Sequence, residues 1–276
     1  MSEESQQTSS NIIPPLTYPG GKSKHIERFL KYIPTSAKTK GILSPFFGGG
    51  GFEFYLASHG YTVYASDHNP LLVNFYDCLR KNPRRLTEYV ERLVPMTSNK
   101  FYKILDILQS VNMHSKQSDS TSFKLASFFY TLNKTSFNGL GRNISKEKTD
   151  RFNRRKFDSL RTFVFPTTLH LHCIDYRKLL TKHPHMFAFV DPPYVKSITH
   201  YGLEGGKEKF DHTELADILM KRKSGWMLTY NDVSQIRKLY KSSSNKFISI
   251  DPTTGYANVR GTESSGYKQL LVVHKP

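Results

Sequence analysis

The chain has 276 residues, 37% of them hydrophobic, and carries 40 Lys and Arg against 23 Asp and Glu, a formal net charge of +17. This length and apolar content suffice for one large α/β core, or for a core with a smaller inserted lobe. The positive charge favours a polyanion such as nucleic acid, with an anionic membrane surface as the alternative. Cys78 and Cys173 lie far apart without metal-ligand spacing, so neither a disulfide nor a metal site is expected.

Two features of the sequence argue against a membrane or secreted protein. No run of about 18 apolar residues occurs, as a membrane-spanning helix would need. The first seven residues lack the basic start and apolar stretch of a signal peptide. We therefore expect a soluble, intracellular protein, with residues 1–12 forming a polar, disordered tail.

The first part of the chain alternates between helix and strand patterns. Residues 22–33 carry apolar side chains at helical spacing. Strand-like runs at residues 42–46 and 61–65 flank a helical segment at residues 51–59. This order predicts a βαβ unit.

Helical spacing dominates residues 86–133, interrupted by a polar stretch at residues 113–122 that predicts a loop. The stripe of Leu125, Phe128, Phe129 and Leu132 is typical of a helix packed in a core. Strand-like runs then return at residues 168–174, 187–190, 226–230, 246–250 and 268–273. The pattern predicts an α/β fold whose sheet is interrupted by a helical insertion.

A glycine-rich segment joins the first predicted strand to its helix. Gly48, Gly49 and Gly50 allow the backbone to approach a ligand, and the following helix N-terminus offers free N–H groups. Asp67 follows the second strand, where an acidic side chain can bind ribose hydroxyls, with helix capping as the alternative. The spacing is neither that of a P-loop nor that of a dinucleotide site, so a different nucleoside ligand is expected.

The tetrapeptide Asp191-Pro192-Pro193-Tyr194 follows an apolar run. Because proline fixes φ and has no N–H for a ladder, the chain must leave the sheet here, with Asp191 at the strand's carboxyl end. An ordinary strand-to-loop turn is the alternative, since Asp and Pro are common in turns.

Motifs in a fixed order indicate a family. They are Tyr18-Pro-Gly-Gly-Lys22, Pro45-Phe46-Phe47-Gly48-Gly49-Gly50, Asp67-His68-Asn69, the stretch from Asn133 to Arg142, and Asp191-Pro-Pro-Tyr194. From about Leu16 to the C-terminus the chain resembles the DNA adenine methylase family, the D12 or alpha class of N6-adenine DNA methyltransferases. The resemblance implies a Rossmann-like sheet that binds S-adenosylmethionine. It implies cofactor contacts by Tyr18, Gly20, Lys22, Phe46, Gly48, Gly49, Gly50, Asp67, Asp175 and Asp191.

The same resemblance implies a division of the chain and a role for the Asp-Pro-Pro-Tyr motif. Residues 13–80 and 165–276 would form the catalytic and cofactor-binding domain, and residues 81–164 a helical, basic target-recognition lobe. The exocyclic amine of adenine is a poor nucleophile because its lone pair is delocalised into the ring. A carboxylate and a carbonyl can each accept one N–H while an aromatic ring stacks on the base. The predicted catalytic residues are Asp191, Pro192, Pro193 and Tyr194.

The stretch after Asn133 resembles the part of the family that enters the target duplex. Phe137 is suited to insert between base pairs, Asn138 to reach the unpaired partner base and Arg142 to bind a guanine edge. Basic side chains nearby suit phosphates, although a solvated loop is the usual meaning of such a charge run. The predicted DNA contacts are Lys134, Ser136, Phe137, Asn138, Gly139, Leu140, Arg142, Arg154 and Arg155.

The sequence also departs from the family pattern. Ser44 stands where the family usually has a glutamate before Pro-Phe, which leaves the polar anchoring of the glycine loop open. Thr17 precedes Tyr18 where enzymes acting on GATC commonly have a lysine, and a family element containing proline is missing after Arg142. Both of these departures bear on the target sequence, for which GATC is the expectation by analogy.

We therefore expect a site-specific methyltransferase that moves a methyl group from S-adenosylmethionine directly to N6 of a flipped adenine in duplex DNA. A restriction endonuclease sharing the site is a candidate partner. The alternatives are an amino-methyltransferase acting on RNA or on a protein glutamine, and a DNA-binding scaffold without activity. The intact Asp191 and Tyr194 argue against the scaffold.

Overall fold

The computed structural model describes residues 12–18, 22, 26–145, 152, 154–195, 210–250 and 268–275. The predicted tail, apart from Ile12, and the predicted cofactor residue Gly20 lie outside these residues. Within them, the strands form one mixed sheet in the order β3-β2-β1-β4-β5-β7-β6. The strands are β1 (Ile42–Ser44), β2 (Val63–Ser66), β3 (Leu169–His172), β4 (Phe187–Val190), β5 (Trp226–Asn231), β6 (Asn245–Ile250) and β7 (Gln269–His274).

The strand order of the sheet reverses between β1 and β4. Strands β2 and β3 lie on one side of β1, whereas β4 and β5 lie on the other, and these five strands are parallel. Strand β7 runs antiparallel between β5 and β6. In open α/β sheets, ligands bind outside the carboxyl ends of the strands at such a reversal. The motif-bearing loops after β1, β2 and β4 all leave the sheet at this edge.

The helices within the described ranges follow the predicted order. Five of them, α4 to α8, lie between β2 and β3 and form the helical insertion. The helices are α1 (Ile26–Leu30), α2 (Ala37–Lys40), α3 (Gly51–Ser58), α4 (Pro70–Lys81), α5 (Pro83–Glu91), α6 (Ser98–Ser110), α7 (Asp119–Thr135), α8 (Arg154–Arg161), α9 (Tyr176–Lys182), α10 (His212–Met220) and α11 (Ser234–Leu239).

Two predicted helix boundaries need correction. Helix α1 ends at Leu30, before the predicted end at residue 33, because the backbone N–H groups of Tyr32 and Ile33 bond three residues back in turns. The loop predicted up to residue 122 ends earlier, because the Ser118 hydroxyl accepts the N–H of Thr121 and caps α7.

Helix α7 connects the insertion to the sheet. Its apolar stripe of Leu125, Phe128, Phe129 and Leu132 is buried, as predicted. The stripe belongs to one apolar cluster that continues from the insertion into one face of the sheet. The insertion therefore has a fixed place on the sheet, while its boundaries at residues 81 and 164 stay a prediction. No helix in the described part of the chain is long and apolar enough to cross a membrane.

Candidate active site

Asp191 lies directly after β4 and is held by side chains from several segments. Its Oδ2 accepts a hydrogen bond from Lys22 Nζ at 2.6 Å. Its Oδ1 accepts from the Thr229 hydroxyl of β5 and, at 3.4 Å, from the Tyr194 hydroxyl. These donors fix the orientation of the carboxylate at the edge of the sheet, as a reacting group requires.

Lys22 is buried, with 5% of its side chain exposed. Burial by itself lowers the pKa of Lys22, but the neighbouring Asp191 and Tyr194 raise it, and the net result lies above the ordinary value. Lys22 therefore stays charged throughout the neutral range. Its ammonium lies 5.3 Å from the centroid of the Tyr194 ring. The ion pair joins the Tyr18–Lys22 motif to the Asp-Pro-Pro-Tyr motif across the sheet edge.

Tyr194 is fixed at both its ring and its hydroxyl. The hydroxyl accepts a hydrogen bond from Gln269 Nε2 of β7 at 2.6 Å, and the ring packs against Tyr230 at a centroid distance of 5.8 Å. Burial raises the pKa of Tyr194, so the phenol stays protonated. Tyr194 is thus a preorganised, half-buried aromatic surface beside Asp191.

The glycine loop after β1 is tied to Asp67. Gly48 N–H donates to Asp67 Oδ2 at 2.8 Å, and Asn69 N–H donates to Oδ1 at 2.9 Å. Burial raises the pKa of Asp67, while these backbone donors oppose the shift. The cap of α4 is Asn69, whose side chain accepts two backbone N–H groups. Asp67 therefore holds the glycine loop in place. The lone pairs that its oxygens have left can accept hydrogen bonds from hydroxyl groups such as those of a ribose.

Tyr18 lies against the same loop. A Cβ placed on Gly49 would come within 2.7 Å of the Tyr18 Cβ, and one on Gly48 within 3.1 Å of the Tyr18 ring. Gly48 and Gly50 also have positive φ values of 52° and 72°. The close approach explains why glycine is needed here, and it places the Tyr18 motif beside the loop.

Ser44 stands where the family usually has a glutamate, and in this chain Glu53 provides an acidic side chain that anchors Ser44. The Ser44 hydroxyl donates to Glu53 Oε1 at 2.6 Å, and Glu53 is 3% exposed. Burial raises the pKa of Glu53 to about 7, with the Ser44 hydrogen bond acting in the opposite direction. Sequence reasoning missed Glu53. The available signal was a single acidic residue inside the otherwise mostly apolar helix α3.

Phe46 and Asp175 were both predicted to contact the cofactor. Phe46 packs against Tyr176 and Phe210 at centroid distances of 5.2 and 5.6 Å, which forms an aromatic wall beside the glycine loop. Asp175 instead caps α9 by accepting the Arg177 N–H at 2.8 Å, and its other oxygen pairs with the Arg177 guanidinium. The aromatic wall has the shape to receive a planar base, and the cofactor contacts of Phe46 and Asp175 both stay predictions.

The predicted DNA-contacting segment forms a closed loop, which we call the recognition loop (Ser136–Ile144). Phe137 N–H donates to the Asn143 carbonyl at 3.1 Å, and Ser136 and Ile144 form an antiparallel bridge. The Phe137 side chain is 52% exposed, as a wedge would need to be. Ser136 is buried and accepts the Gly141 N–H at 2.8 Å. Its hydroxyl shapes the loop, and the predicted DNA contact by Ser136 stays a prediction.

Asn133 attaches the recognition loop to the start of the Tyr18 motif. Its Oδ1 accepts the Thr17 N–H at 2.9 Å, and its Nδ2 donates to the carbonyls of Thr17 and Gly139, both at 2.8 Å. Gly139 has a φ of +74°, and a Cβ there would lie 2.2 Å from the Thr17 carbonyl oxygen. Lys134 Nζ donates to the Thr17 hydroxyl at 3.2 Å. The two segments therefore form one unit.

The side chain of Asn138 lies outside the part of the chain that the structure describes, and the remaining predicted DNA-contacting residues occupy two positions. Leu140 and Arg142 lie half-buried in the recognition loop. Arg154 and Arg155 are exposed on α8, where Arg154 lies 4.0 Å from Asp158. Exposed arginines of this kind suit phosphates, because their charge neutralises the DNA backbone and releases its condensed counterions. These DNA contacts stay predictions.

A family model describing the D12 class N6 adenine-specific DNA methyltransferase matches residues 18–255. The chain belongs to this family. It is 26% identical over 288 residues to a DNA adenine methylase of Vibrio cholerae serotype O1, covering 95% of both chains. It is 26% identical over 244 residues to the Type II methyltransferase M.CviBI of Paramecium bursaria Chlorella virus NC1A, covering 82% of this chain and 86% of that one. It is 25% identical over 269 residues to the Type II methyltransferase M1.LlaDCHI of Lactococcus lactis subsp. cremoris, covering 91% and 92%.

Membership of the D12 family confirms the predicted family, fold class and cofactor. D12-class methyltransferases use S-adenosylmethionine, and the residues at the sheet edge fit this molecule. The glycine loop leaves room for close backbone approach, Phe46 offers an aromatic wall, and Asp67 lies after β2 where ribose hydroxyls are bound in such sheets. Among the described residues, no group of three or more His, Cys, Asp and Glu could hold a metal ion.

Proposed function

We propose that the chain transfers a methyl group from S-adenosylmethionine to N6 of an adenine flipped out of a short duplex DNA site. The arrangement of Asp191 carries the proposal. In a D12-family chain, its carboxylate is oriented by Lys22, Thr229 and Tyr194 at the edge where β1 and β4 diverge. A fixed acceptor is what an exocyclic amine needs in order to become nucleophilic.

The reaction uses the chain's residues to position and activate the amine. Asp191 and the Pro192 carbonyl each accept one N–H of the flipped base, which draws the nitrogen toward tetrahedral geometry. Tyr194 stacks on the base, and Pro193 holds the turn. Bound S-adenosylmethionine supplies the electrophilic methyl group. Transfer would be direct, without a covalent enzyme intermediate: the methyl–sulfur bond would break as the N6–methyl bond forms, S-adenosylhomocysteine would leave, and the surplus N6 proton would pass to solvent.

The recognition loop acts on the DNA side. Phe137 has the exposure needed to enter the base stack, and unstacking by an apolar wedge is a known way to extrude a base. Exposed Arg154 and Arg155 neutralise phosphates, in keeping with the net charge of +17. We take GATC as the target by family analogy. Since two relatives are Type II methyltransferases, a restriction endonuclease that reads the same site is the proposed partner.

The decisive experiment is incubation of the protein with radiolabelled S-adenosylmethionine and a random duplex DNA library. We expect N6-methyladenine within one short sequence, mapped by sequencing of the product. Parallel reactions contain single-stranded RNA and a glutamine-containing protein mixture. Labelling of RNA or glutamine in place of DNA would establish the alternative substrates. Cofactor and DNA binding without any methyl transfer would establish an inactive scaffold.

Arg142→Ala is expected to change base preference at a single position. If the Arg142 guanidinium makes a bidentate contact to guanine, its loss removes about 1 to 3 kcal/mol of discrimination at one base pair. Sequencing of methylated sites from the library measures this. Arg154→Ala, on exposed α8, is the matched control and should weaken binding to all sequences alike. A uniform loss for Arg142→Ala would assign that residue to a phosphate instead.

A further inference from the structure

Among the described residues, two acids and one lysine interact at the edge of the sheet. Lys22 is already paired with Asp191 at 2.6 Å. Both charges act on the pKa of the Glu53 carboxyl, which Asp191 raises and Lys22 lowers, and Glu53 is 3% exposed. With Glu53 ionised, these side chains together carry one more negative than positive charge.

Glu53 is held in place but is not neutralised. The Ser44 hydroxyl donates to Oε1 and the backbone N–H of Glu53 also donates to the carboxylate, and neither donor carries a positive charge. Burying a carboxylate is unfavourable unless a positive partner accompanies it. Its neighbours Phe52, Phe54 and Leu56 on α3 are buried and apolar, so the helix offers the Glu53 carboxylate no positive partner.

We propose that Glu53 recognises the positive charge of the methyl donor and thereby favours S-adenosylmethionine over the demethylated product. This inference rests on the proposed function, because it concerns the same cofactor site. S-adenosylmethionine carries an ammonium, a carboxylate and a sulfonium, which gives a net charge of +1. S-adenosylhomocysteine has a thioether in place of the sulfonium, and its net charge is zero. Loss of the methyl group therefore removes the charge that Glu53 stabilises, which promotes exchange of product for donor.

The electrostatic effect is large enough to measure. Two unit charges about 10 Å apart, at an effective dielectric constant of about 20, interact strongly enough to change affinity on the order of tenfold. An ammonium or carboxylate shared by donor and product cannot cause discrimination between them. A difference between the two ligands therefore reports on the sulfonium charge.

The test is calorimetric binding at pH 7.5 of S-adenosylmethionine, S-adenosylhomocysteine and sinefungin, which carries an amine in place of the sulfonium. Glu53→Gln keeps the shape and an acceptor for Ser44. We expect it to lower affinity for the two cationic ligands about tenfold and for S-adenosylhomocysteine less than twofold. Equal losses for all ligands would overturn the inference. Asp106→Asn, which removes an exposed carboxylate on α6, is the matched control and should change none of the affinities.

A measurement on the wild-type protein makes the test independent of whether the variant folds. With the pKa of Glu53 raised to about 7 by burial, its charge is present above that pH and lost below it. The groups facing Glu53 are Lys22 and Asp191 across the sheet edge and Tyr76 on α4. Lys22 stays charged and Tyr76 stays protonated here, because both have a raised pKa.

Preference for donor over product should therefore increase between pH 5.5 and 7.5 in the wild type and stay flat in Glu53→Gln. A flat wild-type ratio would refute the role of Glu53. If the wild type binds none of these ligands, the proposed function itself fails, and this result is distinct from binding without discrimination.

Discussion

Asp191→Ala is expected to reduce the rate of methyl transfer at least about 10²- to 10³-fold while duplex DNA still binds. This loss of rate is the one typically found when a single preorganised hydrogen-bonding group beside the reacting atoms is removed. DNA binding should persist because the exposed arginines and Phe137 lie on the insertion and not after β4. Single-turnover methylation and equilibrium DNA binding, measured on the same preparation, separate the two effects.

Asp191→Asn is the control for this prediction. Its amide oxygen can still accept one N–H from the base and a hydrogen bond from Lys22. We expect activity between that of the wild type and that of Asp191→Ala. If Asp191→Ala keeps activity within a few-fold of the wild type, the assignment of this carboxylate to catalysis is wrong.

Lys22→Met is expected to lower the free energy of unfolding by about 3 kcal/mol. The substitution keeps much of the side-chain volume but leaves the Asp191 carboxylate, 21% exposed, without its cation. The raised pKa of Lys22 means that, wherever the Asp191 carboxylate is ionised, the contribution of the lysine is fully present below the unfolded lysine pKa of about 10.4. Its contribution is lost as pH rises further. Urea unfolding at neutral pH measures the difference.

A double-mutant cycle distinguishes loss of the ion pair from loss of packing. In the Lys22→Met background, Asp191→Asn should restore part of the lost stability, because no uncompensated charge is left. Additive effects of the two substitutions would show that Lys22 stabilises the fold through its apolar stem. In that case the hydrogen bond between the two side chains would contribute little.

The sequence predicted the sheet well because most of its strands are buried on both faces. Residues 187–190 are all buried, and such strands appear in a sequence as short continuous apolar runs. The βαβ unit followed from two such runs on either side of α3. The boundaries of α1 and α7 were less predictable, because they depend on turns and on a cap.

The motifs located the candidate site, but the contacts within it could not be predicted, because they join residues that are far apart in the sequence. Lys22 and Asp191 are 169 positions apart, and Thr229 looked like one more residue of an apolar strand. Asp67 and Asp175 were both predicted to bind the cofactor. Asp67 bonds to the glycine loop 19 positions away, whereas Asp175 caps α9 through a contact with the nearby Arg177 N–H.

If the recognition loop binds DNA and the Tyr18 motif binds the cofactor, as predicted, the attachment of the loop through Asn133 links the two ligands thermodynamically. Because Asn133 satisfies both peptide groups of Thr17, the backbone leading into the Tyr18 motif and the loop must become ordered together. A ligand that orders either segment lowers the conformational entropy that the other ligand must remove. By thermodynamic reciprocity, bound DNA changes the affinity for cofactor by the same factor by which bound cofactor changes the affinity for DNA. Cooperative binding would then arise from shared ordering, without any contact between cofactor and DNA.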